Sequence, residues 1–165
     1  MKSLLVTLFV LLASQNIANA KTDWTYQDLS GGMALLTGTF DPKGTAVIYS
    51  CINNYVSSGV ILLNKPEWAQ INTVEDTRLK ITSYDNETVN FMAGKVPTHN
   101  KISIFASADQ ISSITAFHFL DVSNGKDMHI KIDNNSLSIR KTGIIQTDNA
   151  RQAISQFKDR CPILN

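Results

Sequence analysis

Two cysteines, Cys51 and Cys161, are the residues of this chain whose type and placement imply chemistry most directly. Cys51 shares a strand face with Val47 and Tyr49. Cys161 continues an apolar stripe formed by Ala150, Ala153, Ile154 and Phe157 at helical spacing. Both sulfurs should therefore point into the core from elements that must pack together, and in an exported protein the expected chemistry is a disulfide. The bridge would close a loop of 110 residues, which the chain-entropy model values at about 4 to 5 kcal/mol. Redox catalysis needs closely spaced, partly exposed cysteines such as C-x-x-C, and that spacing is absent.

Other reactive residue types do not converge. His99, His118 and His129 are scattered, and no H-E-x-x-H pair is present. Asp127, His129 and Asp133 share one face of a predicted strand with Lys131 between them. A metal or proton-transfer site can be imagined there, but alternating charge on a solvated strand face describes the same residues and is the preferred reading. There is no G-x-S-x-G elbow and no phosphate-cradling glycine loop, and Asp121 to Gly125 lacks the spacing and closing Glu of a calcium loop. No catalytic residue, metal or cofactor is assigned, and the chain is expected not to be an enzyme. Surface recognition remains. Trp68, in the loop-like stretch Asn64 to Trp68, and His99, in the loop after Pro97, are the candidate binding residues.

Short strands must position these residues. Trp24 to Asp28 alternates weakly. Met33 to Phe40 and Thr45 to Cys51 flank Asp41-Pro42-Lys43-Gly44, a turn with Pro in the position that presets its first central dihedral. A loop is predicted over Asn53 to Ser58, followed by the apolar strand Gly59 to Leu63, which Asn64-Lys65-Pro66 ends. Arg78 to Tyr84 and Thr88 to Ala93 form a second hairpin about Asp85-Asn86-Glu87. Gly94 to Asn100 is read as a loop, and Lys101 to Ala106 as a strand with Ile102 and Ile104 inward. Ile111, Ile114, Phe117 and Leu120 recur every three residues. That recurrence favours a helix beginning near Asp109, although Phe117 to Val122 would also serve as a strand. After Asn124-Gly125, Met128, Ile130 and Ile132 alternate with Asp127, His129, Lys131 and Asp133. Asn134-Asn135 then turns the chain into Ser136 to Ile144, with Leu137 and Ile139 inward. The last helix has Asp148 at its start, Lys158 and Arg160 at its end, and Pro162 as its stop. The composite is about eight strands and a terminal helix. The predicted fold class is mainly β (α+β): an antiparallel β-sandwich or open barrel with the C-terminal α-helix packed on it.

Residues 1–20 have the form of a signal peptide. Lys2 is positive, Leu4 to Ala13 is apolar, and Ala18-Asn19-Ala20 is a small-x-small cleavage site of bacterial type. The apolar run is too short to cross a bilayer, which takes about 20 apolar residues. Residues 21–165 are expected to form a single β-rich domain in the periplasm or outside the cell, without a membrane span. Setting the leader aside removes Lys2, one of 15 basic residues, and none of the 14 acids, so the remainder is balanced. Neither that balance nor any Lys/Arg run supplies what nucleic acid binding requires. Any partner must be held by a local patch and not by the field of the whole molecule.

The order of features carries a resemblance. An early Trp24, a strand ending in Tyr49-Ser50-Cys51-Ile52-Asn53, a β-rich middle and a closing Asn149-Ala150-Arg151-Gln152-Ala153-Ile154 helix that ends in Arg160-Cys161 resembles small exported bacterial proteins of the invasion-associated locus B type. It is also similar to the periplasmic accessory proteins of type VI secretion systems. The resemblance implies a non-enzymatic periplasmic β-sandwich and brings no catalytic residue with it. The expected function is that of an exported binding or accessory protein whose partner is a protein or an envelope component, with a secreted or periplasmic inhibitor of a hydrolase as the alternative.

Overall fold

The computed structural model describes residues 21–63, 77–96 and 102–165. Its strands are β1 (Asp23–Leu29), β2 (Met33–Thr39), β3 (Ala46–Ile52), β4 (Tyr55–Leu63), β5 (Thr77–Thr82), β6 (Thr88–Val96), β7 (Ile102–Ala106), β8 (Met128–Asn134) and β9 (Ile139–Ile145). Helix α1 (Gln110–Ser123) connects β7 to β8, and α2 (Arg151–Arg160) follows β9. All described pairings are antiparallel, in the order β1-β2-β3-β4-β7-β6-β5-β8-β9. Strand β6 belongs to both halves: Thr88 to Ala93 pair with β5, and Gly94 to Val96 pair with β7. The result is a sandwich-like, mainly β fold with helical cover, as the patterning predicts.

The far edges of the sheet meet. Trp24 lies across Gly38, its cross-strand partner, where a Cβ would come within 2.8 Å of the indole. Its Nε1 donates to the carbonyl of Gln146 beyond β9 at 2.8 Å. Phe40 occupies the space that a side chain at Gly143 would need. Lys141 of β9 reaches Thr45 Oγ1 at 2.8 Å and Asp41 Oδ2 at 3.3 Å. These contacts curl one sheet around a shared core.

Both helices contribute to that core. Tyr49 of β3 meets Phe117 of α1 edge-on at 5.6 Å, and Phe117 packs against Phe157 of α2 at 5.4 Å. The Tyr49 hydroxyl donates to the Ala116 carbonyl at 3.2 Å, and burial pushes its ionisation far up, so it stays a neutral donor. The predicted stripe of α2 is buried throughout, from Ala150 to Cys161.

Several expectations need correction. The segment from Gln110 to Ser123 is helix, and of the predicted Ile111-Ile114-Phe117-Leu120 row Phe117 and Leu120 are buried and Ile114 packs against the core, but Ile111 does not. Ser113, Ala116, Phe117 and Leu120 face inward, while Ile111 is 80% exposed. Ser113 and Ala116 are buried where the helix lies close on β4, and Ser113 Oγ accepts from the Ser58 amide at 3.0 Å. The predicted loop from Asn53 to Ser58 is only a two-residue turn, and β4 begins at Tyr55. Strand β6 runs on to Val96, past the predicted loop start at Gly94. In β7, Ser103 and Phe105 face the main core, whereas Ile102 and Ile104 join a separate cluster with Ala46, Ile48 and Ile61. Asp148 pairs with Lys21 at 2.9 Å and does not cap α2.

The meeting edges yield a pH prediction. Partial burial pushes the Asp41 carboxyl up, but the Lys43 amide, the Thr45 hydroxyl and the Lys141 ammonium donate to it and hold it below the ordinary range. A depressed carboxyl contributes stability that is complete above its unfolded value of about 3.9 and is lost as pH falls through the folded value. Melting temperatures measured from about pH 6 down to about pH 3 should fall less steeply for Asp41→Asn than for the wild type. Parallel profiles would contradict this assignment.

Candidate functional site

The expected disulfide is present, joining Cys51 near the end of β3 to Cys161 at the end of α2. Their α-carbons are 6.0 Å apart and both residues are buried. The bridge therefore clamps the root of the β3–β4 turn to the final helix.

Beyond that clamp the chain turns through Asn53 (φ 50°) and Asn54 (φ 65°), both left-handed. This is the backbone of the hairpin turns that match strand twist, and Asn adopts it at lower cost than most residues. Ile52 and Tyr55 stand opposite each other across the turn. The Tyr55 hydroxyl donates to the Ala108 carbonyl, and Gln110 Nε2 donates to the Asn54 carbonyl at 3.2 Å. Behind them, Ser57 Oγ donates to the Ser107 carbonyl at 2.7 Å, and Ser58 Oγ meets Ser113 Oγ at 3.1 Å. Asp109 caps α1. The Ser112 hydroxyl and amide donate to its carboxyl and hold it below the usual range. Covalent and hydrogen-bonded bracing on three sides fixes this end of the molecule. Yet it shows solvent three large apolar residues: Ile52 (38% exposed), Tyr55 (43%) and Ile111 (80%). Braced aromatic and aliphatic groups of this kind supply contact area to a partner at small entropic cost.

A second surface lies on the outer face of β5, β8 and β9. Cross-strand register places Arg78 beside Asp133 and Asp133 beside Arg140, while Lys80 stands directly opposite Lys131. Asp133 accepts from Lys131 at 2.8 Å and lies 3.8 Å from Arg140. The Lys131 hydrogen bond, with the charges of Lys131, Arg140 and Arg78, holds its carboxyl below the ordinary range. Asp133 is thus committed to cations. His129 is exposed on the same face, and Asp127 precedes the strand. Among the described residues, no group of three or more His, Cys, Asp and Glu has an arrangement that could hold a metal ion. Between α1 and α2 runs an open groove of about 760 Å³. The Lys158–Asp121 ion pair lies along it at 2.8 Å, and Thr147 beneath is satisfied by Ser123, Gly125 and Lys126.

Trp68 and His99 lie outside the described residues. The Asn53-Asn54 pair between two apolar runs is a turn signal that would have located the hairpin tip. The cations of the second surface stand on three strands, and only their register brings them together. Comparison of the chain with family models, with curated proteins and with solved structures gives no match.

Replacing Cys51 and Cys161 together by alanine is expected to lower stability by about 4 kcal/mol, within the range for a native bridge closing a long loop. Denaturant unfolding of both proteins measures this, and equal midpoints would contradict it.

Proposed function

We propose that this chain is an exported binding protein of the bacterial cell envelope, without catalysis of its own, that recognises a protein partner through the β3–β4 tip. The single observation carrying this reading is the tip itself, rigid by construction and bearing Ile52, Tyr55 and Ile111 in solvent. A monomer gains nothing in its own core from an isoleucine 80% exposed in the first turn of a helix. Export is supported by the leader-like residues 1–20 and by the disulfide, a bond that persists in oxidising compartments. Among the described residues no helix is long and apolar enough to cross a membrane.

An inhibitor of an envelope hydrolase is the second reading, and the bracing of the tip favours it. A preorganised loop enters a cleft without the cost of ordering itself. The two readings share one surface and differ in what the partner does.

Photo-crosslinking in the living bacterium tests the proposal. A photoreactive residue at position 111 or 55 should give a discrete protein adduct that is absent when the residue stands at Ser138, on the exposed β8–β9 turn. With the captured partner purified, Ile111→Asp should weaken binding by about 2 kcal/mol, roughly thirtyfold, as for a central apolar anchor. Its melting temperature should not fall, because a carboxylate in the first turn of α1 favours the helix. If the partner is an enzyme that loses activity when bound, the inhibitor reading holds. Identical adducts from all three positions, or none, would overturn the proposal.

A further inference from the structure

We propose that the outer face of β5, β8 and β9 docks the protein onto the anionic phosphates of an envelope lipid bilayer. The inference rests on the envelope location proposed above but not on the hairpin-tip reading.

Outward side chains on these strands include Arg78, Lys80, Lys131 and Arg140, against the single acid Asp133. Neighbouring strands lie about 4.8 Å apart and alternate residues about 7 Å apart, so each cation lies within about one Debye length of its nearest cationic neighbour at physiological salt. Lys80 makes no ion pair among the described residues, and its β8 neighbour is Lys131. Like charges directly opposite on a sheet are destabilising. Asp133 pairs with Lys131 and lies between Arg78 and Arg140, so one acid faces four cations and the face of a chain with balanced charge is left with an excess of positive charge, which points to an external anion.

The shape selects the kind of anion. A depression on this face, lined by Arg78, Lys131, Asp133, Asn135 and Arg140, is about 260 Å³, too small to grip a peptide segment. The rest is a sheet surface, suited to a plane of charge. Met92 flanks Arg78 on β6 and Ile144 flanks His129 on β9, both outward and 40% and 51% exposed. Basic residues flanked by exposed apolar side chains suit a bilayer interface, where phosphate meets hydrocarbon.

Vesicle co-sedimentation of the full chain tests this. Vesicles of equal parts phosphatidylglycerol and phosphatidylcholine are compared with phosphatidylcholine alone. All variants carry the same residues 1–20, so differences between them report the face. Wild type should bind the anionic vesicles at low salt and release in about 0.5 M NaCl. Each charge removed should cost about fivefold, so Lys80→Gln loses about fivefold and Lys80→Glu about twenty-five-fold. Lys80→Glu should also melt no lower than wild type, since it replaces a repulsive cross-strand pair with an attractive one. Lys131→Gln, with an expected loss of about fivefold, repeats the test should Lys80→Glu fold poorly. Equal binding by wild type and these variants, equal binding to neutral vesicles, or tighter binding to polyglutamate than to the vesicles would overturn the proposal.

Discussion

A single covalent bond holds together elements that the chain makes far apart. Cys51 lies on β3 in the interior of the sheet, and Cys161 lies 110 positions later at the end of the last helix. Helix α2 is short, and a helix of that length is marginal without packing. Its face is secured by Phe157 against Phe117, and its end by the sulfur. The same bond fixes the root of the β3–β4 turn. Stability of the C-terminal helix and rigidity of the exposed tip are thus two consequences of one constraint.

Where the period of the sequence was strict, the fold was legible. Met128, Ile130 and Ile132 alternate because one face of β8 is core and the other is water, and the stripe from Ala150 to Cys161 is buried as its spacing requires. Patterning misled where both faces of a strand are covered. Ile102 and Ile104 look like core residues, but on β7 the main core takes Ser103 and Phe105, and the isoleucines serve the smaller cluster. It misled again on α1, where Ser113 and Ala116 are buried and Ile111 is exposed. The tip is hidden in an apparent loop from Asn53 to Ser58 because Asn-Asn is a weaker hairpin sign than Asn-Gly and the polar Ser57-Ser58 interrupts the apolar run that follows.

Charge shows the same limit in another form. The strands of this face contribute cations one or two at a time, each reading alone as the polar side of an amphipathic strand. Only the registers Lys80–Lys131, Arg78–Asp133 and Asp133–Arg140 convert them into one basic face on a chain with nearly no net charge. In the function proposed, the braced apolar tip contacts a protein and the basic sheet face contacts a charged surface.

Amide hydrogen exchange on oxidised protein and on protein reduced and thiol-blocked under native conditions tests the central constraint most directly. Loss of the bond should raise exchange in α2 and around residues 51–56 while β5, β8 and β9 keep their protection. Unchanged protection in α2, or an equal rise across every strand, would show that the bond does not hold those elements in place.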